Sequence, residues 1–343
     1  MSRKTKIAVI SSIVVAIILI ATAVPTVLYV TGIIDFAEKA ESKGGKYLMT
    51  YFTGNEPEQE RIRFAVSEDG YDFTPLNGNE PIITQTLGTK SARDPYIFKA
   101  QDGSYYILAT DMKSEDGWSS NHRLIVWHSY DLLDWTEVGL IDMKEYGLPD
   151  TVRAWAPQAI WDKSENAYML YWANCENSAE NGWSGTVMWY AYTTDFRTLT
   201  TTPQILFAPE SGKDAIDADI IEKDGVFYMY YKDENESKIC YATAAKPSGP
   251  YVEPKDPVVS VFYTNVEGNF IYNISGTDSY VMMLDCYSDG KFVLQQTENM
   301  TSFKRVDPKY YDFDFSPRHG SVIHISDAEY DALISRYGKQ EDQ

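Results

Sequence analysis

From Lys46 onward, short apolar runs rich in Tyr, Ile, Val and Trp alternate with turn clusters such as QDG, DKSEN, KDG and SDG. That pattern predicts strand after strand. Before the C-terminal tail no stretch carries the 3.6-residue periodicity of a long helix. The runs fall into a repeating unit. Each unit opens on a short phrase: DPYIF at Asp94, APQAI at Ala156, DADII at Asp217, EGNFI at Glu267 and HGSVI at His319. A turn and an aromatic second strand follow (SYYILATD, AYMLYWAN, VFYMYYKD, SYVMMLDC), then a third (RLIVWHSY, TVMWYAYT, SKICYATA, KFVLQQTE). A fourth, outer strand closes the unit, as in SYDLLDWTEVG and TENMTSFKRVD. Four antiparallel strands repeated at spacings of 62, 61, 50 and 52 residues predict the blades of a β-propeller.

The segment before Asp94, RIRFAVSEDGYDFTPL, has third- and outer-strand character but no inner strand of its own. GSVIHIS, near the C-terminus, supplies one. A blade built from both chain ends closes the ring and removes the exposed sheet edge. The expectation is an all-β chain with a five-bladed propeller over residues 46–326. A helical tail over 327–343 begins at the Ser326-Asp327-Ala328-Glu329 cap. Ahead of the propeller, Arg3, Lys4 and Lys6 precede an uncharged run from Ile7 to Ile34. A spanning helix needs about 20 apolar residues and a cleavable signal only about 7–15 in its core. Residues 1–35 are therefore expected to be a transmembrane signal-anchor, with 36–45 as a linker. The basic flank stays inside and the rest of the chain is exported. Ala21-Thr22-Ala23 resembles a cleavage site, so secretion after cutting near Ala23 is the alternative.

Composition supports a packed domain. The chain has 343 residues, 44% hydrophobic and 14% aromatic, which is ample for a large core. Its net charge is −20, and −22 beyond residue 44. Such a surface disfavours nucleic acid and anionic lipid headgroups and suits a neutral partner such as a sugar. Cys175, Cys240 and Cys286 are too few and too widely spaced for a disulfide framework or a zinc site, so buried thiols are expected. A monomer is expected.

Inner strands of a propeller run in one direction along the central channel. Asp94, Asp217, Glu267 and His319 are therefore expected to meet at one mouth. Two carboxylic acids flanking a glycosidic bond are the equipment of sugar hydrolysis, and a third nearby acid keeps the donor protonated. His122 and His128 are expected to be structural. Asp214 and Asp219, flanking Asp217, are expected to point elsewhere.

At these motifs the chain resembles glycoside hydrolase family 43, five-bladed propellers that trim arabinose- and xylose-containing polysaccharides. ARDPYIF, RAWAPQAIWDKSENAYMLYWAN, DAIDADIIEKDGVFYMYYKD, VEGNFIYNI and RHGSVIHIS resemble its five blade motifs in order, over residues 46–326. The third carries Ala218 where Pro is common. The resemblance implies Asp94 as general base, Asp217 as the residue that tunes the acid, and Glu267 as general acid. It implies inversion of configuration, with base and acid about 6.5–9.5 Å apart. It also implies that His319 faces a structural Ca²⁺ in the channel through water, with no cofactor needed for the chemistry. Trp155 is either a pocket wall or a core aromatic. Arg318 binds a sugar hydroxyl or the acid cluster, or is a solvated loop cation. Phe52 closes the pocket or is a buried strand aromatic. Insertions at 116–121 and 174–185 are expected to form the rim. The expected activity is release of α-L-arabinofuranosyl groups from oligo- or polysaccharide. A β-xylosidase or galactosidase of the same fold, a retaining fructan-cleaving propeller and a non-catalytic glycan-binding propeller are the alternatives. The Asn-Asp-Pro-Asn-Gly-like nucleophile motif of the fructan enzymes is absent from the sequence.

Overall fold

The computed structural model describes residues 36–261 and 265–338. The chain divides into two compact units, 1–37 and 38–343, and the propeller is the second. The anchor helix predicted over residues 1–35 lies outside the described residues. Among the described residues no helix is long and apolar enough to cross a membrane.

Five separate antiparallel sheets form the blades. The first blade runs outward from Ala92–Lys99 through Tyr105–Asp111 and Arg123–Ser129 to Thr136–Asp142. The second comprises Thr151–Asp162, Ala167–Ser178, Val187–Thr193 and Gln204–Phe207, with a short extra strand at Gly182–Trp183. The third has Ala215–Lys223, Val226–Asp233 and Lys238–Ala244. Its outer edge is reduced to isolated bridges at Val252 and Val258. Pro247, Pro250, Pro254 and Pro257 explain this, because proline has no N–H to give a ladder. The fourth comprises Glu267–Asn273, Tyr280–Cys286, Lys291–Thr297 and Lys304–Arg305. In the fifth, Arg318–Ile325 from the C-terminus pairs with Lys46–Phe52, followed by Arg63–Ser67 and Thr74–Pro75. The split blade is as the sequence predicts.

Alternation along the strands makes the ring cohere. Successive side chains point to opposite faces of a sheet, so each blade packs against both neighbours. Tyr47 and Met49 join Phe270 and Met283 between the fifth and fourth blades. The intervening Leu48 joins Ile97 and Ile125 between the fifth and first. Three further clusters fill the other junctions, around Trp172, Tyr231 and Met282. Five blades with five apolar interfaces form a closed ring. The three cysteines are free and buried.

Residues 39–43, within the expected linker, are bonded to the ring. Lys39 pairs with Asp69 at 2.9 Å, the Ala40 N–H donates to Tyr71 Oη at 2.9 Å, and the Lys43 N–H donates to the Ser275 carbonyl at 2.9 Å. The tail helix spans Asp327–Tyr337 and opens on the reciprocal Ser326–Glu329 cap. Its buried Leu333 belongs to the cluster between the fifth and first blades.

Candidate active site

Every inner strand carries a bulge at the same place. Two residues slip out of the pairing in each: 94–95, 156–157, 217–218, 268–269 and 319–320. The first bulged residue is left-handed in four of the five, with φ of 52° at Asp94, 46° at Ala156, 54° at Asp217 and 55° at Gly268. Asp and Gly tolerate that conformation better than most residues, which is a local reason for aspartate here. The bulge redirects the side chain, and Asp94, Asp217 and His319 all line one cavity of about 500 Å³.

Glu267 lies in the same cavity but not at the bulge position. It pairs with Asp285 just before the bulge, in register with Arg93, Trp155, Ile216 and Arg318. All five of these residues line the cavity. The apparent alignment of Glu267 with Asp94 is therefore one residue out. Gly268 explains the offset. A Cβ there would lie 2.5 Å from the His319 Cβ, so that position accepts no side chain and the acid stands one residue earlier.

A third set of residues lies opposite that second one, on the neighbouring strands. Thr110 pairs with Arg93, Lys232 with Ile216, Asp285 with Glu267 and Phe52 with Arg318. The Thr110 hydroxyl donates to Asp94 Oδ2 at 2.9 Å and receives the Ala156 N–H at 2.8 Å. Lys232 Nζ donates to Glu267 Oε2 at 3.0 Å, and Arg318 Nη2 donates to Glu267 Oε1 at 2.9 Å. Arg318 Nε also donates to the wholly buried Asp285 at 2.6 Å. Phe52 is buried beneath the guanidinium groups of Arg93 and Arg318, at 4.5 and 5.6 Å from its ring centre. It supports these arginines from below and is absent from the cavity lining. Thr110, Lys232 and Asp285 were not singled out from sequence. All three occupy the next-to-last position of their second-strand phrases, and that shared register was the available signal.

The electrostatics separate the acids. Burial opposes the charge on Asp94, but His319, Arg93 and the Thr110 hydroxyl outweigh it and hold the carboxyl below its ordinary range. Burial pushes Asp217 up to about 6, with His319 opposing and Glu267 and Asp94 adding to the rise. Asp217 Oδ2 accepts the Gly268 N–H at 2.9 Å. Burial disfavours the imidazolium of His319, yet Asp217, Asp94 and Glu267 lift it to about 9. Its Nδ1 stands 3.5 Å from Asp94 and 3.8 Å from Asp217. Among the described residues no group of three His, Cys, Asp or Glu side chains is placed to hold a metal ion. These residues do not form a direct calcium cage.

Asp214 and Asp219 do point elsewhere. Asp214 accepts the Thr186 N–H at 3.1 Å. Asp219, two residues beyond the left-handed Asp217, accepts the Ile271 N–H of the next blade at 2.6 Å. The equivalent residues Tyr96 and Ser321 likewise bond to the following blade, and Gln158 does so through Tyr171. Of the predicted rim insertions, Trp118 lines the cavity. His122 bonds Asp142, and His128 packs on Tyr106, both outside the cavity lining.

Burial pushes Asp219 up to about 7, against the Ile271 N–H and His319. Its folded value exceeds the unfolded one, so it holds its proton more tightly folded. The resulting stability is fully present below pH about 4 and is lost as pH rises through about 7. Asp219→Asn keeps the acceptor oxygen and removes the titration. The variant should melt higher than the parent at pH 8, by roughly 2–4 kcal/mol of stability, with a smaller difference at pH 5. Calorimetry at the two pH values checks this. An unchanged difference would show that Asp219 does not titrate there.

A closed five-bladed ring whose hub cavity gathers four carboxylates and a histidine has the architecture of a propeller glycosidase. The chain belongs to glycoside hydrolase family 43: the family-43-related group described as "Probable glycosyl hydrolase domain" matches residues 43–331. It is thus an enzyme that hydrolyses O-glycosyl bonds. An α-L-arabinofuranosidase of Bifidobacterium longum subsp. longum is 27% identical over 186 residues, 48% of this chain. That match spans 17% of the curated relative's length. Among solved structures, a thermostable family-43 glycoside hydrolase superposes with a TM-score of 0.58 at 13% identity, covering 82% of this chain and 95% of the other. An α-L-arabinofuranosidase of Clostridium thermocellum superposes with a TM-score of 0.56 at 12% identity, covering 78% and 92%. At these identities the structural likeness concerns the fold.

Proposed function

We propose that the chain is an exported, inverting, exo-acting glycosidase that removes α-L-arabinofuranosyl groups from an oligo- or polysaccharide. The observation that carries this reading is that Asp94 and Glu267 face one cavity with Asp217 beside them. The partial likeness to an arabinofuranosidase supports the choice of sugar. Trp155 forms part of the cavity wall, and Arg318 positions Glu267. Export rests on the basic flank and uncharged run before residue 35. The protein works outside the cytoplasm, anchored or released near Ala23, as a monomer.

Asp94, ionised by its cationic surroundings, takes a proton from water as the water attacks the anomeric carbon. Glu267 gives a proton to the leaving oxygen from the opposite face. The water oxygen ends on the sugar with inverted configuration, and both carboxyls are reset by proton exchange with solvent. Proton NMR of the products from the start of the reaction should show the inverted anomer first, and net retention would end this mechanism. A panel of nitrophenyl glycosides should rank the α-L-arabinofuranoside above the β-xyloside and galactosides.

One observation favours a second assignment of the proton donor. Both oxygens of Glu267 accept from cations, Lys232 and Arg318, whereas Asp217 is the acid pushed up to about 6. An acid variant loses little on an aryl glycoside whose leaving group needs no proton and about 10²–10⁴-fold on an alkyl glycoside. Under the leading reading Glu267→Gln shows that split and Asp217→Asn slows both substrates alike. The reverse result would make Asp217 the donor.

The side-chain cations around Asp94, Asp217 and Glu267 already offset their charge, so the chemistry is assigned no metal. Thorough chelation is expected to leave kcat unchanged. A loss restored by Ca²⁺ would overturn that expectation.

A further inference from the structure

Four permanently basic side chains line the cavity: Arg93, Arg153, Lys232 and Arg318. Three have acidic partners. Arg93 Nη1 lies 2.9 Å from the buried Glu60, Lys232 pairs with Glu234 and Glu267, and Arg318 pairs with Glu267 and Asp285. Arg153 differs. Its polar partners are two neutral hydroxyls, Ser119 Oγ on Nε at 3.1 Å and Thr186 Oγ1 on Nη1 at 3.1 Å. Its guanidinium packs over the faces of Trp155 and the exposed Trp183, at 4.7 and 5.6 Å from the ring centres.

The consequences follow from guanidinium chemistry. Arginine has five N–H donors, and two are used here, leaving three on Nη1 and Nη2. A planar fork with free donors matches a carboxylate in two-point fashion. The indole faces and the two hydroxyls hold the fork in place before any ligand arrives, so little ordering remains to be lost on binding. Elsewhere the chain is strongly acidic, and a bare cation at the cavity wall stands against that background. A neutral sugar does not require it.

We propose that Arg153 is a carboxylate-binding subsite, and that the glycan processed here carries a uronic acid beside the sugar that is removed. This rests on the glycosidase pocket described above and adds the chemical class of its substrate. Because Arg153 also ties Ser119 to Thr186, a purely structural role is the competing account.

The test uses the full-length protein and two probes differing only in charge: a xylo-oligosaccharide bearing one glucuronic acid, and its methyl ester. Tryptophan fluorescence and calorimetry report their affinities without requiring turnover. The acid should bind roughly 10-fold or more tightly than the ester, as expected for charge-assisted bonds. Arg153→Gln should bring the ratio to about 1. Ser119→Ala, which loosens the tie but keeps the guanidinium, should preserve it. Equal binding of acid and ester by the parent, or a ratio unchanged in Arg153→Gln, overturns the subsite. Loss of the ratio in both variants overturns it in favour of the structural account. Hydrolysis of nitrophenyl α-L-arabinofuranoside is followed in parallel. Turnover with no preference for the acid rejects the subsite alone. An absence of both binding and turnover rejects the underlying reading as well.

Discussion

Asp94→Asn should lower kcat by about 10²–10⁴-fold while KM changes little, the range for removing a general base. The geometry makes this variant informative. Asparagine tolerates the left-handed backbone at this bulge, so the strand need not move. Its amide oxygen can still accept the Thr110 hydroxyl, which in turn holds the Ala156 N–H. What disappears is the negative charge facing His319. The same loss should lower the His319 value from about 9, because Asp94 is one of the groups that raise it. Steady-state rates measure the first effect and a histidine NMR titration the second. If the variant hydrolyses at the parental rate while His319 shifts, Asp94 is not the base. Azide is a nucleophile that needs no deprotonation and can replace the attacking water, so partial recovery of rate with azide would locate the defect at proton removal.

A chain ending at Pro317 should fail to form the propeller, whereas one ending at Ser326 should fold. The shorter chain loses the inner strand of the fifth blade, and with it the partner of Lys46–Phe52 from Lys46–Ile325 to Phe52–Arg318. It also loses Ile325 from the cluster between the fifth and first blades and the Ser321 bond to the Ile97 N–H. The fourth and first blades are left facing a sheet without its innermost strand, with exposed ladder edges prone to pairing between molecules. The longer chain loses the helix and buried Leu333, a destabilisation of about 2–5 kcal/mol by the usual cost of truncating a core leucine. Circular dichroism and calorimetry separate the two. A cooperative melt for the shorter chain would show that the ring does not depend on its closing strand.

The ring was legible because its signal is redundant. Five phrases, four aromatic second strands and matching turns each point to blades, and the split blade follows from the one unit lacking an inner strand. The members of the acid cluster were legible for the same reason. Their exact registration was not. Glu267 and Asp94 look equivalent because both begin an apolar phrase, but Gly268 occupies the left-handed position and moves the acid back by one. Lys232 and Asp285 were hidden among strand residues that read as core. Lys232 is only 3% exposed and Asp285 fully buried, and both are tolerated there because each meets an opposite charge. The outer strand of the third blade was obscured by its prolines, and Phe52 by its position under two arginines rather than at the surface.

Ring closure by a strand from the far end has a wider consequence. Each blade hands side chains to the hub, and the apolar faces between blades decide which neighbours meet. The order in which the ribosome delivers those blades is therefore immaterial to the assembled constellation. A ring opened at a different inter-blade turn, its present entry and exit bridged, would specify the same arrangement of acids, and the points at which the chain enters and leaves the ring mark one choice among several equivalent cuts in a circle.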